Sequence, residues 1–141
     1  MTITSEYSSD VCDEAYVLDA AAFFAAYQLY LSSKAYTVKE VVEEVRDSES
    51  LKNLQLALSA GKIHLEEPTE AHRNKITQIA KDLIKAGKLS KADLELLALT
   101  SKLVEKCNRV IVISDDRAVQ KVALKIGAEI LGIKYRELKK S

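Results

Sequence analysis

The sequence predicts an α/β fold, a parallel sheet covered by helices on both faces. Three observations carry that prediction. Short apolar runs alternate with helical patterns along the chain, as βα units require. One run, RVIVI at 109–113, is almost continuously apolar, which suits a strand buried on both faces. At 141 residues, with four Gly and one Pro, the chain has the length of one domain and little room for linkers.

Each element follows from its local pattern. The first dozen residues are polar and unpatterned, so 1–14 is expected to be a flexible N-terminal segment. AYVLD (15–19) reads as a short buried strand, and AAAFFAAYQLYL (20–31) as an Ala-rich helix that is apolar nearly all round and hence buried. In VKEVVEEVRD (38–47), Val38, Val41, Val42 and Val45 recur at helical spacing, and Thr37 with Glu40 fits a capping box. SESLKNLQLALSAG is a second helix ending at Gly61, KIHLEE alternates as a strand, and Pro68 closes it. TEAHRNKITQIAKDLIKAG (69–87) is a long helix with an apolar stripe of Ile76, Ile79, Ala80, Leu83 and Ile84 and Gly87 as its C-terminal cap. LSKADLELLALTSKLVEK (89–106) is the next helix. RVIVI is a strand, DDRAVQKVALKIG (115–127) a helix, and AEILGI (128–133) a last short strand. KYRELKKS (134–141) is a basic C-terminal tail, suited to a helix end or a phosphate-contacting arm.

Composition narrows the class. A hydrophobic fraction of 48% with 30% charge is that of a globular protein, and 6% aromatic residues with no Trp point to an aliphatic core. No apolar run reaches the roughly 18 residues of a membrane span, and the N-terminus lacks the pattern of a signal peptide, so the expected location is cytoplasmic, with no membrane partner. Cys12 and Cys107 have neither CxxC spacing nor a partner cluster and are expected to be plain thiols. His64 and His72 show no metal-ligand spacing. The net charge of zero conceals an asymmetry: residues 1–71 carry a net −8 and residues 72–141 a net +8, so a basic face is available.

Acids fall where ligands bind in open parallel sheets, at the carboxyl ends of strands. Asp19 ends YVLD, and Asp115 and Asp116 end VIVIS; if the two strands are neighbours, these acids share one cleft. Taken alone, SDD reads as helix capping. Glu44 lies roughly 110° from the centre of the valine face on a helical wheel, at its buried edge, and Glu43 roughly 150° away. Asp93 can cap with Ser90, yet it shares a helical face with Leu97 and Val104 in a segment too apolar to be exposed, where a carboxylate needs a partner. Four acids from two strand ends and two helices are the donors that hard divalent cations prefer.

The blocks YVLDAAAFF, YTVKEVVEEVRD, LSKADLELLAL and VISDDRAVQKVA, in this order over residues 16–132, resemble those of PIN-domain ribonucleases. They are most similar to the Nob-type endonucleases that mature the 3′ end of small-subunit ribosomal RNA in archaea and eukaryotes. The resemblance implies a three-layer α/β/α sandwich over residues 15–133 with an acidic site that uses Mg²⁺ or Mn²⁺. By motif position it makes Asp19, Glu44, Asp93 and Asp116 the catalytic acids, with Asp19, Asp93 and Asp116 holding metal and Asp115 an accessory ligand or helix cap. Nob-type proteins continue into a four-cysteine zinc ribbon, whereas this sequence stops at KYRELKKS.

The expected chemistry is metal-assisted hydrolysis of an RNA phosphodiester, leaving 5′-phosphate and 3′-hydroxyl ends. Precursor small-subunit rRNA is the expected substrate and the pre-ribosomal small subunit an expected partner; the reading is compatible with an oligomer. Arg117 and Lys121, just beyond the last acid, are candidate RNA contacts. Two other readings share the fold: a VapC-type toxin ribonuclease silenced by a small antitoxin, and a catalytically silent PIN-like module that binds RNA or the ribosome. A response-regulator receiver is disfavoured, because its paired acids after the first strand and its lysine after the last are missing.

Overall fold

The computed structural model describes residues 12–24, 33–134 and 138–139. Six strands form one sheet in the order β3-β2-β1-β4-β5-β6. They are β1 (Cys12–Leu18), β2 (Lys34–Thr37), β3 (Ile63–Leu65), β4 (Cys107–Ile113), β5 (Glu129–Leu131) and β6 (Leu138–Lys139). The first five are parallel, as expected, and β6 departs from the expectation by pairing antiparallel with β5, Ile130 opposite Lys139 and Leu131 opposite Leu138. Within the tail predicted as a basic arm, 138–139 is therefore strand backbone. At the other end, 12–14 belong to β1 instead of a frayed segment. Residues 1–11 and the 25–31 portion of the predicted Ala-rich helix lie outside the described residues.

The helices are α1 (Ala20–Phe24), α2 (Lys39–Val42), α3 (Ser48–Ser59), α4 (Glu70–Leu83), α5 (Lys91–Lys106) and α6 (Arg117–Lys125). α1 packs on β1 and α3, while α5 lies across β1 and β4 and in turn carries α2, α4 and α6. Sandwiched in this way, α5 buries Leu96, Leu97, Ala98 and Leu99 in succession. Four consecutive buried positions cover every side of a helix turn, which is why LELLAL lacks a polar face. β1 and β4, at the centre of the sheet, bury Val17, Leu18, Val112 and Ile113 completely, and among the described residues the buried hydrophobic core is aliphatic apart from Phe23, Tyr36 and Cys107. By contrast α4 buries fully only Ile76 of its predicted stripe, because it packs on α5 outside the sheet.

Local chemistry sets the ends. Gly61 (φ 74°) and Gly127 (φ 99°) follow α3 and α6 in the left-handed conformation that glycine adopts without a Cβ penalty. Each closes a Schellman motif, with Gly61 N–H donating to Leu58 and Lys62 N–H to Ala57, and Gly127 N–H to Leu124 and Ala128 N–H to Ala123. Gly87, expected as the cap of α4, is not its cap: the helix ends at Leu83 with Ile84 extended (φ −125°, ψ 138°), and Gly87 lies in the turn beyond.

The 38–47 segment departs most from its pattern. Only Lys39–Val42 is α-helical; Glu44 and Val45 donate to Val41 and Val42, three residues back, so the chain tightens into turns. Val38, Val41 and Val45 are buried all the same. The Thr37–Glu40 capping box does not form, because Val38 is the N-cap and the buried Thr37 hydroxyl donates to Leu18 O at 2.8 Å, joining the ends of β2 and β1.

The two cysteines are not plain thiols. β1 and β4 place Cys12 directly opposite Cys107, Cα atoms 4.5 Å apart, and the sulfurs form a disulfide. Neither residue signals this in the sequence, since 95 positions separate them and only the strand order makes them neighbours.

Candidate functional site

The connection order creates the site. From β1 the chain moves outward to β2 and β3, then crosses back through α4 and α5 to enter β4 on the other side of β1. The carboxyl ends of β1 and β4 are thus the topological switch point, where loops diverge and leave a crevice. Asp19 leaves β1 there and Ser114 leaves β4; the Asp19 N–H donates to Ile113 O at 3.4 Å. The sequence-level condition that the two acid-bearing strands be neighbours is met.

Asp19 is the centre of the arrangement. Its Oδ1 accepts from Ala22 N at 3.1 Å, and the fully buried Ser114 hydroxyl is a further partner. Burial pushes its carboxyl up to about 6, against the two hydrogen bonds, and the negative charges of Asp93 and Asp115 push the same way. Glu44 is not among the strongest influences on the Asp19 carboxyl. It is exposed in the turn after α2, where loss of the helix removes the wheel geometry that put it at a buried edge; Glu43 is exposed beside it.

Asp93 reaches the crevice from the first turn of α5. Its Oδ2 accepts from Ser90 N at 3.0 Å while Ser90 Oγ accepts from Asp93 N at 3.1 Å, a reciprocal capping box. Structural and electrostatic roles coexist in this one carboxylate, whose charge faces Asp19 from a helix N-terminus.

In the SDD stretch the helix cap falls on Asp116, where the sequence reading offers Asp115 for it. Asp116 is the N-cap of α6, its Oδ1 accepting from Ala118 N at 2.8 Å and Val119 N at 3.1 Å. Asp115 is not the cap. Its Oδ1 accepts from Ile133 N at 2.7 Å and its Oδ2 from Lys134 N at 3.1 Å, so the chain beyond β5 holds it. Gly132 makes room, for a Cβ there would lie 3.1 Å from Asp115 Oδ1. The reason for the exchange is reach: the N-cap must precede the first helical residue, and α6 begins at Arg117. Ser114 ties both halves together, since its hydroxyl also accepts from Asp116 N at 3.1 Å.

Asp19, Asp93 and Asp115 are thus brought into electrostatic contact. Among the described residues, however, no three His, Cys, Asp or Glu side chains close into a group that could hold a metal ion. Arg117 and Lys121 lie exposed one turn apart on α6, beside the acids. His72 bridges Thr69 and Glu105, and His64 packs against Tyr36 with ring centroids 5.5 Å apart; both are remote from this chemistry in their contacts.

Residues 16–103 match the family described as the PIN domain of ribonuclease. The chain belongs to the PIN-domain ribonuclease family. The PIN chain is 36% identical over 123 residues to ribonuclease VapC3 of Aeropyrum pernix, an alignment covering 87% of this chain and 88% of that protein. It is 37% identical over 124 residues to endoribonuclease Nob1 of Pyrococcus abyssi, covering 88% of this chain and 68% of the relative. To the 20S-pre-rRNA D-site endonuclease NOB1 of Saccharomyces cerevisiae it is 36% identical over 98 residues, 67% of this chain and 21% of the yeast protein. The PIN fold matches the α/β sandwich expected from the sequence, with the acids at the switch point. No helix among the described residues is long and apolar enough to cross a membrane.

Proposed function

We propose that this PIN ribonuclease is an endoribonuclease that cuts single-stranded RNA with a divalent cation, Mg²⁺ or Mn²⁺, in the 3′-end maturation of small-subunit ribosomal RNA in the cytoplasm. The observation that carries the reading is Asp19, a half-buried carboxylate at the switch point with Asp93 and Asp115 charged against it. The name of the yeast relative, a 20S-pre-rRNA D-site endonuclease, supports precursor rRNA as the substrate, and the pre-ribosomal small subunit is the partner proposed with it.

The donor set fits a hard cation in kind: it is all oxygen, and a bound cation would favour the charged form of the Asp19 carboxyl, which burial first and the charges of Asp93 and Asp115 second hold high. Asp19, Asp93 and Asp115 are the residues that would hold it; Asp116, which caps α6, and Glu44, exposed after α2, are the further candidate acids. When bound, the cation lowers the pKa of a water nucleophile and neutralises charge on the phosphate and the leaving oxygen. The chain supplies orientation. Ser114 fixes the Asp19 carboxylate, the N–H groups of Ile133 and Lys134 fix Asp115, and the capping box fixes Asp93. Each acid is held before substrate arrives, so little reorganisation accompanies reaction. Arg117 and Lys121 supply positive charge for the RNA backbone.

The test is Mn²⁺-dependent cleavage of a 3′ fragment of precursor small-subunit RNA by wild type and Asp19→Asn. Cleavage by wild type alone supports the reading; equal cleavage by both removes Asp19 from the mechanism, and none by either moves the chain to a silent RNA- or ribosome-binding module. The match to VapC3 over 88% of that protein's length favours a second reading, a toxin ribonuclease. Growth arrest on expression, relieved by a co-purifying short antitoxin, would select it over rRNA maturation.

A further inference from the structure

We propose that the groove between the end of α4 and the start of α5 seats a nucleobase of the RNA, with lysines at its mouth holding the adjoining phosphates; this rests on the ribonuclease reading above. The groove encloses about 270 Å³. Its floor is aliphatic, formed by Ala80, Ile84, Leu89 and Leu94, all half-buried. Leu89 precedes the N-cap Ser90 and Leu94 is the fourth residue of α5, the positions of a hydrophobic staple. Here the two do not close on each other alone: the chain turns at Gly87 (φ 84°), with Lys88 N–H donating to Lys85 O, and a space opens between turn and helix.

The charge at the mouth is one-sided. Lys81 and Lys85 line it, Lys88 and Lys91 follow on the same loop and helix start, and all four are exposed. No ion pair is recorded for any of them among the described residues, although Arg73, Lys102 and Lys106 on the same two helices are matched with Glu70, Glu95 or Glu66. Asp82 is the one acid between 71 and 92. A flat apolar floor under unmatched lysines complements a ligand with an apolar face and negative charge spaced along it. A base carried on a phosphate backbone has this form. Location adds the register: Leu94 in the groove and Asp93 at the acids share the first turns of α5 on different sides of the helix, so one RNA strand can reach both.

The experiment measures binding of a labelled single-stranded oligoribonucleotide to the full chain with chelator present, so that no cleavage contributes. Lys81→Ala/Lys85→Ala is expected to weaken binding about tenfold and to flatten its salt dependence by nearly two phosphate contacts. Ala80→Leu fills the groove and is expected to weaken binding of ordinary RNA about threefold to fivefold while leaving an oligomer of abasic sites unaffected. The wild-type protein should itself prefer the base-bearing oligomer by the same factor, a comparison independent of any variant's folding. If wild type binds and cleaves RNA but neither variant nor base removal alters affinity, the groove assignment is overturned and the ribonuclease reading stands. If wild type neither binds nor cleaves RNA, that reading falls and the groove assignment falls with it. A co-purifying polypeptide lost from Lys81→Ala/Lys85→Ala, with RNA affinity unchanged, overturns the assignment in favour of a protein ligand.

Discussion

At the scale of single residues, Asp19 couples stability to pH. Its carboxyl is raised to about 6 from 3.8 by burial and by its acidic neighbours, so the folded state binds this proton more tightly than the unfolded chain. Its contribution is fully present below about pH 4 and is lost as pH rises through about 6. The loss is about 3 kcal/mol for a shift of this size. Asp19→Asn should abolish that slope, and urea midpoints in chelator from pH 4 to 8 will show it as a growing advantage of the variant. Adding Mn²⁺ should return the lost stability to wild type above pH 6 and leave Asp19→Asn nearly unmoved. The neighbouring acids separate by chemistry. Asn caps a helix as well as Asp does, so Asp116→Asn should keep both stability and cleavage, whereas Asp116→Ala should cost about 1 kcal/mol in thermal or urea melts. Asp115→Asn should fold normally and lower cleavage at least about a hundredfold. A loss of cleavage in Asp116→Asn with Asp115→Asn active would reverse these roles.

Among elements, legibility followed how local the deciding interaction is. The helix α3, the long α4 and the apolar α5 were readable because their periodicity and caps lie within a few residues; Asp47 N-caps α3 by accepting from Ser50 N at 2.9 Å, within its own first turn. Strand β2 was not read from KAYT, since four residues with a lysine carry no alternation worth the name. The valines at 38–45 showed a helical period that tight turns satisfy equally well. Thr37 looked like a cap and is a cross-strand tie, a difference set by β1 lying beside β2. Thr37→Val leaves Leu18 O without this donor and should cost about 1 to 2 kcal/mol in urea unfolding. The site divides along the same line. Asp19 was legible because strand ends at a switch point are a property of the topology, whereas Asp115 is held by the N–H groups of Ile133 and Lys134, which no local pattern connects to it.

For the whole molecule, the strand order does two things at opposite ends of the same pair of strands. At the carboxyl ends it gathers the acids; at the amino ends it brings Cys12 to Cys107. Just inside the disulfide, Arg109 bridges Glu14 on β1 at 2.8 Å and Glu129 on β5, so three strands are clamped on the side away from the acids. The disulfide closes a loop of about two thirds of the chain, and Cys12→Ala/Cys107→Ala should lower stability by about 3 to 5 kcal/mol under oxidising conditions, with reductant bringing wild type to the variant's melting point. Cleavage below that temperature should be unchanged, because the acids sit at the far end of the strands. The cradle around Asp115 has a different kind of robustness. It is made of main-chain N–H groups, which every amino acid but one carries, so the carboxylate keeps its grip whatever side chains occupy 133 and 134. Proline at 134 removes the N–H that reaches Oδ2 and leaves that of Ile133 on Oδ1, so a library randomised at 134 and selected for full cleavage should be depleted of proline relative to every other residue.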